Sequence, residues 1–170
     1  SRSAPRPPVA ACYRCIVSAT VKWLGHASAV VEFDDERILI DPLGRRRARS
    51  AGDVHTVLIT HSHIDHLNRW TLKAVDRGAT IIVPKGARYV VENLGFSKVV
   101  EAEPGDHIPC GSIDVLAVDT KHDNGRWRRG DKPICVGYIL QKNGILIHHA
   151  GDVDMSDFSV FDELGKSYDI

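Results

Sequence analysis

The run Thr60-His61-Ser62-His63-Ile64-Asp65-His66 constrains this chain more than any other stretch. It follows Val57-Leu58-Ile59, part of a short strand expected over 54 to 60, and it precedes a helix expected over 69 to 76. His61 and His63 are two residues apart, so in extended backbone they share one face. Asp65 and His66 fall where the chain must turn. A strand end feeding a tight loop can aim all four groups into one pocket. Imidazole and carboxylate are the ligands that suit zinc, manganese or iron. From this chain's composition, H-x-H-x-D-H arises by chance in roughly two of a thousand such sequences, so a metal site is the expected reading.

One metal needs three or four ligands, and two metals also need a bridge. The remaining donors should therefore lie at other strand ends. His122 follows a strand expected over 112 to 118. Asp152 follows the strand 145 to 149, in His149-Ala150-Gly151-Asp152, where Gly151 permits close backbone approach. Taken alone, each also reads as a turn or cap residue, and Asp154 is the better helix cap. His148 and His149 alternate across their strand, so at most one faces the site. His26 reads either as a pocket-lining residue behind the ligands or as a packed structural histidine. Asp41, ending a strand before Pro42, either orients a ligand imidazole through its second ring nitrogen or simply turns the chain. His55 and His107 read as surface loop residues.

The remaining pattern is layered. Strands are expected around Val21 to Trp23, Val30 to Phe33 and 37 to 40, with a break at Gly25. A basic loop follows at 44 to 53. Further strands are expected at 79 to 83, 98 to 101 and 134 to 142, the last joined to strand 145 to 149 by Asn143-Gly144, a strong hairpin signal. Helical spacing marks 85 to 94 and 156 to 164. This alternation predicts an α/β fold with mixed sheets. No G-x-G-x-x-G or Walker A sequence is present, so nothing marks a nucleotide fold.

Length and charge narrow the function. The 170 residues suffice for one domain with a true core, expected at 19 to 170 behind a flexible N-terminal tail, 1 to 18. Lys and Arg total 22 against 22 Asp and Glu, and a zero net charge argues against a general nucleic-acid binder. No apolar run approaches the roughly 20 residues that cross a bilayer. Cys12 and Cys15 form a lone C-x-x-C and, with Cys110 and Cys135, make no disulfide framework, so a cytoplasmic setting is expected. Between Lys121 and Lys132, Arg126, Arg128 and Arg129 would favour an anionic substrate by electrostatic focusing; a solvated loop is the plain alternative.

In order and spacing, four stretches resemble the metallo-β-lactamase superfamily across about residues 20 to 170. They are Val21-Lys22-Trp23-Leu24-Gly25-His26, Ile38-Leu39-Ile40-Asp41-Pro42, the H-x-H-x-D-H loop, and His149-Ala150-Gly151-Asp152. The match is most similar to the metal-dependent hydrolase branch of L-ascorbate-6-phosphate lactonase. N-acyl phosphatidylethanolamine-hydrolysing phospholipase D is a more distant relative.

The resemblance implies an αββα sandwich with a dinuclear site, zinc foremost, at the edge of the sheets. It implies that His61, His63 and His122 hold the first metal, Asp65 and His66 the second, and that Asp152 bridges both. The family's further C-terminal histidine has no counterpart before Ile170, and its usual Thr after Gly-Asp is Val153 here. The expectation is therefore a C-terminally incomplete domain or a weakly held second metal, with an uncovered sheet edge through which copies associate.

The implied activity is hydrolysis of an ester, lactone or phosphoester of a small anionic molecule. Metal coordination lowers the pKa of water from 15.7 toward about 7. The resulting hydroxide, oriented by Asp65, attacks the carbonyl or phosphorus centre. The alternatives are a nuclease of the same fold acting on RNA or DNA, and a non-catalytic metal-binding scaffold or truncated remnant.

Overall fold

The structure, a computed structural model, describes residues 18–122 and 132–153. Six strands form the larger sheet in chain order: β1 (Ala19–Gly25), β2 (Ser28–Phe33), β3 (Glu36–Ile40), β4 (Thr56–Leu58), β5 (Thr80–Pro84) and β6 (Lys98–Ala102). The first three are antiparallel, and β3 through β6 run parallel. A second, antiparallel sheet holds β7 (His107–Cys110), β8 (Ile113–Asp119), β9 (Val136–Lys142) and β10 (Ile145–His149), in the order β10-β9-β8-β7.

The apolar runs explain the layering. Parallel strands covered on both faces need little alternation, and Ile38-Leu39-Ile40, Val57-Leu58 and Ile81-Ile82-Val83 have none. Along each strand, successive side chains enter different cores. Val30, Leu39, Val57, Ile81 and Val83 pack with Leu72, Val91 and Leu94 of the helical layer. Val31, Ile38, Ile40, Leu58 and Ile82 pack against Val115, Ala117, Val136, Tyr138 and Leu140 of the second sheet. Wholly buried Tyr138 donates its hydroxyl to the Ile59 carbonyl at 2.9 Å, which ties the sheets together beside the histidine loop.

The described part thus has helices, sheet and sheet in three layers. The expected helix at 156 to 164 lies outside the described residues, as do the tail with Cys12 and Cys15 and the Arg126, Arg128 and Arg129 segment.

Three local expectations are corrected. The basic stretch is not all loop: Arg45–Ser50 forms α1, because Ala48, with Ala51 just beyond, buries one small stripe while the arginines stay outside. The other helices are short. Arg69–Leu72 is α2, and Arg88–Val91 is α3, followed by a 3-10 turn at Glu92–Leu94 that Gly95 ends with φ 84°. Strand β7 stands where a loop was expected, so His107 belongs to a strand. Pro109 masks it in the sequence, and an edge strand is where a sheet tolerates proline.

Candidate metal centre

Four chain segments leave the sheets at one common edge. Asp41 follows β3, Thr60 and the histidine loop follow β4, His122 follows β8, and Asp152 follows β10. The carboxyl ends of parallel strands are where open α/β sheets place their ligands.

The loop is held by its own backbone. The Nδ2 and Oδ1 of Asn68, the N-cap of α2, bind the Ile64 carbonyl and the Thr71 amide, while His66 and Leu67 amides both donate to the His63 carbonyl. The Val136 amide donates to the Thr60 carbonyl at 2.9 Å, pinning β9 to the start of the loop. Gly151 has φ +68°, and a Cβ there would stand 2.7 Å from Thr60 Cβ. Only glycine lets the Asp152 segment pass this close.

Asp41 organises the interior. It is fully buried and left-handed, at φ 42°. Its Oδ1 accepts the Thr60 amide at 2.8 Å, and its Oδ2 accepts the Thr60 hydroxyl at 2.6 Å and His66 Nδ1 at 2.8 Å. His149 Nε2 lies 3.4 Å from the same oxygen. Burial alone would raise this carboxyl, but the hydrogen bonds from His149 and His66 hold it well below the usual carboxylate range.

An ionised carboxylate only accepts, so His66 carries its proton on Nδ1. The Thr60 hydroxyl, spent on Asp41, accepts from His61 Nδ1 at 3.0 Å. In their neutral forms both imidazoles therefore point a bare Nε2 outward. His66 Nε2 is buried and makes no hydrogen bond among the described residues, an orphaned lone pair of the kind a metal satisfies.

Two donor groups result: His61, His63, His122 and Asp152 in one, and His26, Asp65 and His66 in the other. Within each, the donor atoms lie within 4.8 Å of one another. His63 Nδ1 is 3.0 Å from His61 Nε2 and 3.3 Å from His122 Nε2, while Asp152 Oδ2 is 3.9 and 4.0 Å from those two nitrogens. A tetrahedron with zinc–nitrogen arms has edges of about 3.4 Å, so the group fits such an ion. The other Asp152 oxygen, Oδ1, lies 3.3 Å from His66 Nε2. One carboxylate thus faces both groups.

His26, read as either a pocket-lining or a packed structural histidine, stands beside the candidate ligands, its Nε2 2.9 Å from Asp65 Oδ2. Sequence reasoning missed Thr60, whose signal was only its position between a strand and the first histidine. It also left open which of His148 and His149 turns inward, and His149 is the one that meets Asp41.

The imidazoles give the metal-free chain a pH dependence. Burial pushes His61 down to about 4, helped by the neighbouring His66, and burial beside His149 lowers His148. For His66 burial also pulls downward, but Asp41 wins and its value is raised. Below the ordinary histidine value of 6.5, the unfolded chain takes up protons that folded His61 and His148 refuse. Stability should therefore fall as pH falls from 6.5 toward 4. The His66 contribution is fully present in that window and is lost only as pH rises through its raised value. Urea midpoints of the metal-free chain should move down across that window. Constant midpoints would mean that His61 accepts its proton inside the fold.

A sandwich with five histidines and two aspartates gathered at one sheet edge defines the metallo-β-lactamase class. The family model described as the beta-lactamase superfamily domain matches residues 20–169, and the chain belongs to that superfamily. Among curated proteins, a UPF0173 protein of Pyrococcus furiosus is 32% identical over 150 residues, covering 88% of this chain and 67% of that protein. A UPF0173 metal-dependent hydrolase of Sinorhizobium medicae is 30% identical over 162 residues, covering 85% of this chain and 68% of its own length. The chain thus spans about two thirds of these relatives.

Among solved structures, Igni18, a metallo hydrolase of Ignicoccus hospitalis, superposes with a TM-score of 0.68 at 22% identity, over 84% of this chain and 64% of its own. CmlA, a diiron beta-hydroxylase of Streptomyces venezuelae, superposes with a TM-score of 0.70 at 22% identity, over 86% of this chain and 33% of its own. These two likenesses speak for the fold. Among the described residues, no helix is long and apolar enough to cross a membrane.

Proposed function

We propose that this chain, through a domain spanning 19 to 170, is the metal-holding part of a cytoplasmic metal-dependent hydrolase. Its substrate would be an ester, lactone or phosphoester of a small anionic molecule. The observation that carries the reading is the Asp152 carboxylate, with Oδ2 toward His61 and His122 and Oδ1 toward His66. The hydrolase name of similar UPF0173 proteins supports the reaction class. The buried thiol of Cys110 accords with a reducing compartment.

His61, His63 and His122 would hold one divalent ion, Asp65 and His66 the other, and Asp152 both. Zinc suits these donors first. Two such ions supply Lewis acidity and bring the pKa of water from 15.7 toward about 7.

The chain's own groups do the rest. Asp41 and Thr60 fix the tautomers of His66 and His61, so neither imidazole has to reorient when a ligand arrives. Burial raises the Asp65 carboxyl, but the hydrogen bond from His26 prevails and keeps it ionised. It is the group that orients the attacking water and holds its proton. Exposed Ile64 and Val153, next in sequence to Asp65 and Asp152, offer apolar contact to the organic part of a substrate. Arg126, Arg128 and Arg129 would attract its negative charge.

The test is elemental analysis of the purified chain together with turnover of generic lactones, carboxylic esters and a phosphodiester, before and after chelation. Turnover lost on chelation and restored by zinc, manganese or iron is expected. Metal bound without turnover of any substrate would leave a metal-binding scaffold. In the same assay, Arg126→Ser with Arg128→Ser and Arg129→Ser should raise KM for anionic esters several-fold and spare neutral ones. Equal effects on both would remove substrate selection from that segment.

A further inference from the structure

We infer that His26 is itself a metal ligand, a donor to the second position alongside Asp65, His66 and Asp152. This rests on the metal-centre reading above and goes beyond it, because that reading gives His26 no contact with an ion.

The backbone is the first argument. β1 and β2 pair from Ala19↔Phe33 through Trp23↔Ala29, then shift register to Gly25↔Ser28. A bulge of this kind bends the strand and re-aims the side chains just beyond it. The chain reverses through His26 and Ala27, with Gly25 at φ 106° and His26 at φ 54°. Two-residue hairpins with positive φ at the first central position select Gly, Asn or Asp. A left-handed backbone is strained for a residue that has a Cβ. The turn is nevertheless secured around histidine, whose carbonyl accepts the Trp23 indole N–H at 2.7 Å.

The visible partner does not account for that cost. His26 and Asp65 are each 42% exposed, and ion pairs so open to water contribute little. Backbone strain that side-chain pairing does not offset is a pointer to function.

The donor geometry is the second argument. His26 Nε2 stands 2.9 Å from Asp65 Oδ2, which lies 3.9 Å from His66 Nε2. His66 Nε2 is the buried, orphaned lone pair, and it also faces Asp152 Oδ1 at 3.3 Å. The edges of this figure bracket the about 3.4 Å expected of a tetrahedral zinc shell, as they do in the first group. The hydrogen bond seen between His26 and Asp65 marks one edge of that shell. His26, Asp65 and His66 thus form one donor group, with Asp152 reaching it through His66.

The test is calorimetric zinc titration of the metal-free 170-residue chain and its His26→Gly and His26→Gln variants. Cobalt absorption spectra are recorded in parallel. Glycine is at ease with positive φ, so His26→Gly should fold as well as the parent, checked by circular dichroism. It also leaves a space that free imidazole can enter.

We expect both variants to keep the tight first binding event. The second should weaken by more than the about 10–100-fold typical of losing a partner behind a ligand. His26→Gln, which can still donate to Asp65, should not recover it. Added imidazole should restore the cobalt spectrum of His26→Gly but not of the parent. A second event unchanged in both variants would overturn the proposal, as would full recovery by glutamine, which would make His26 a positioning residue for Asp65. If the parent chain binds no metal at all, the metal-centre reading itself fails, and that outcome is visible before any variant is compared.

Discussion

Replacing His61 and His63 together by alanine is expected to strip the first metal position and to reduce any metal-dependent turnover to background. Those two side chains supply two of the four donors in their group, leaving His122 and Asp152. Two donors fall short of the three that even an open catalytic zinc site retains. The loss should spread to the second position, because the same carboxylate faces both groups, Oδ2 toward His61 and His122 and Oδ1 toward His66. Truncating buried His61 also frees the Thr60 hydroxyl from the hydrogen bond at its Nδ1. Elemental analysis should find less than one metal per chain, and turnover should fall by at least about 100-fold. Unchanged stoichiometry would refute the assignment of this loop.

A comparable loss is expected from Asp41→Asn, although Asp41 would touch no metal. The substituted side chain has nearly the same size, and asparagine tolerates the left-handed backbone at φ 42°. What changes is proton placement. With its Oδ1 still accepting the Thr60 amide, the new NH2 would point where Oδ2 now accepts from Thr60 and His66 and faces His149 at 3.4 Å. His66 can answer only by moving its proton to Nε2, and the Thr60 hydroxyl only by turning its hydrogen toward His61 Nδ1. Both imidazoles then present N–H, not a lone pair, to the metal. Metal affinity should fall by about 100-fold or more, while stability drops by on the order of 1–3 kcal/mol. Nitrogen NMR of the imidazoles should show the proton shift. Undiminished zinc affinity would mean that Asp41 is a turn residue only.

Much of this arrangement is legible in the chain because metal chemistry compresses ligands into short motifs. His61, His63, Asp65 and His66 fall within six residues, and the turn after β4 does bring them together. His122 and Asp152 are visible only because strands precede them, and the expected strand ends lie within a few residues of the observed ones. β7 was hidden by Pro109, since a rule written for central strands rejects proline while an edge accepts it. α1 was hidden because its buried stripe is only alanine, too small to register as amphipathic among four arginines. His26 belongs to a third kind of case. Its proximity to Asp65 is made by a bulge and a turn, across 39 residues of chain, and no local pattern encodes a contact of that reach.

The donors come from both sheets, and this sets an order of events in the life of the protein. The 61 to 66 loop and His26 are positioned by the larger sheet, but His122 and Asp152 arrive only with β8 and β10. On a chain still emerging from synthesis, His61 and His63 would stand as an open half-shell, two donors where even a catalytic zinc site keeps three. Closure waits for the hairpin of β9 and β10 to dock, a long-range contact of the kind that forms late. A cation at the first group would therefore be taken up at the end of biogenesis. Divalent affinities for nitrogen and oxygen donors differ mainly by the general order of the metals. The identity of that ion would then be decided by the local supply at the moment of docking, and thereafter kept by the difficulty of parting two sheets.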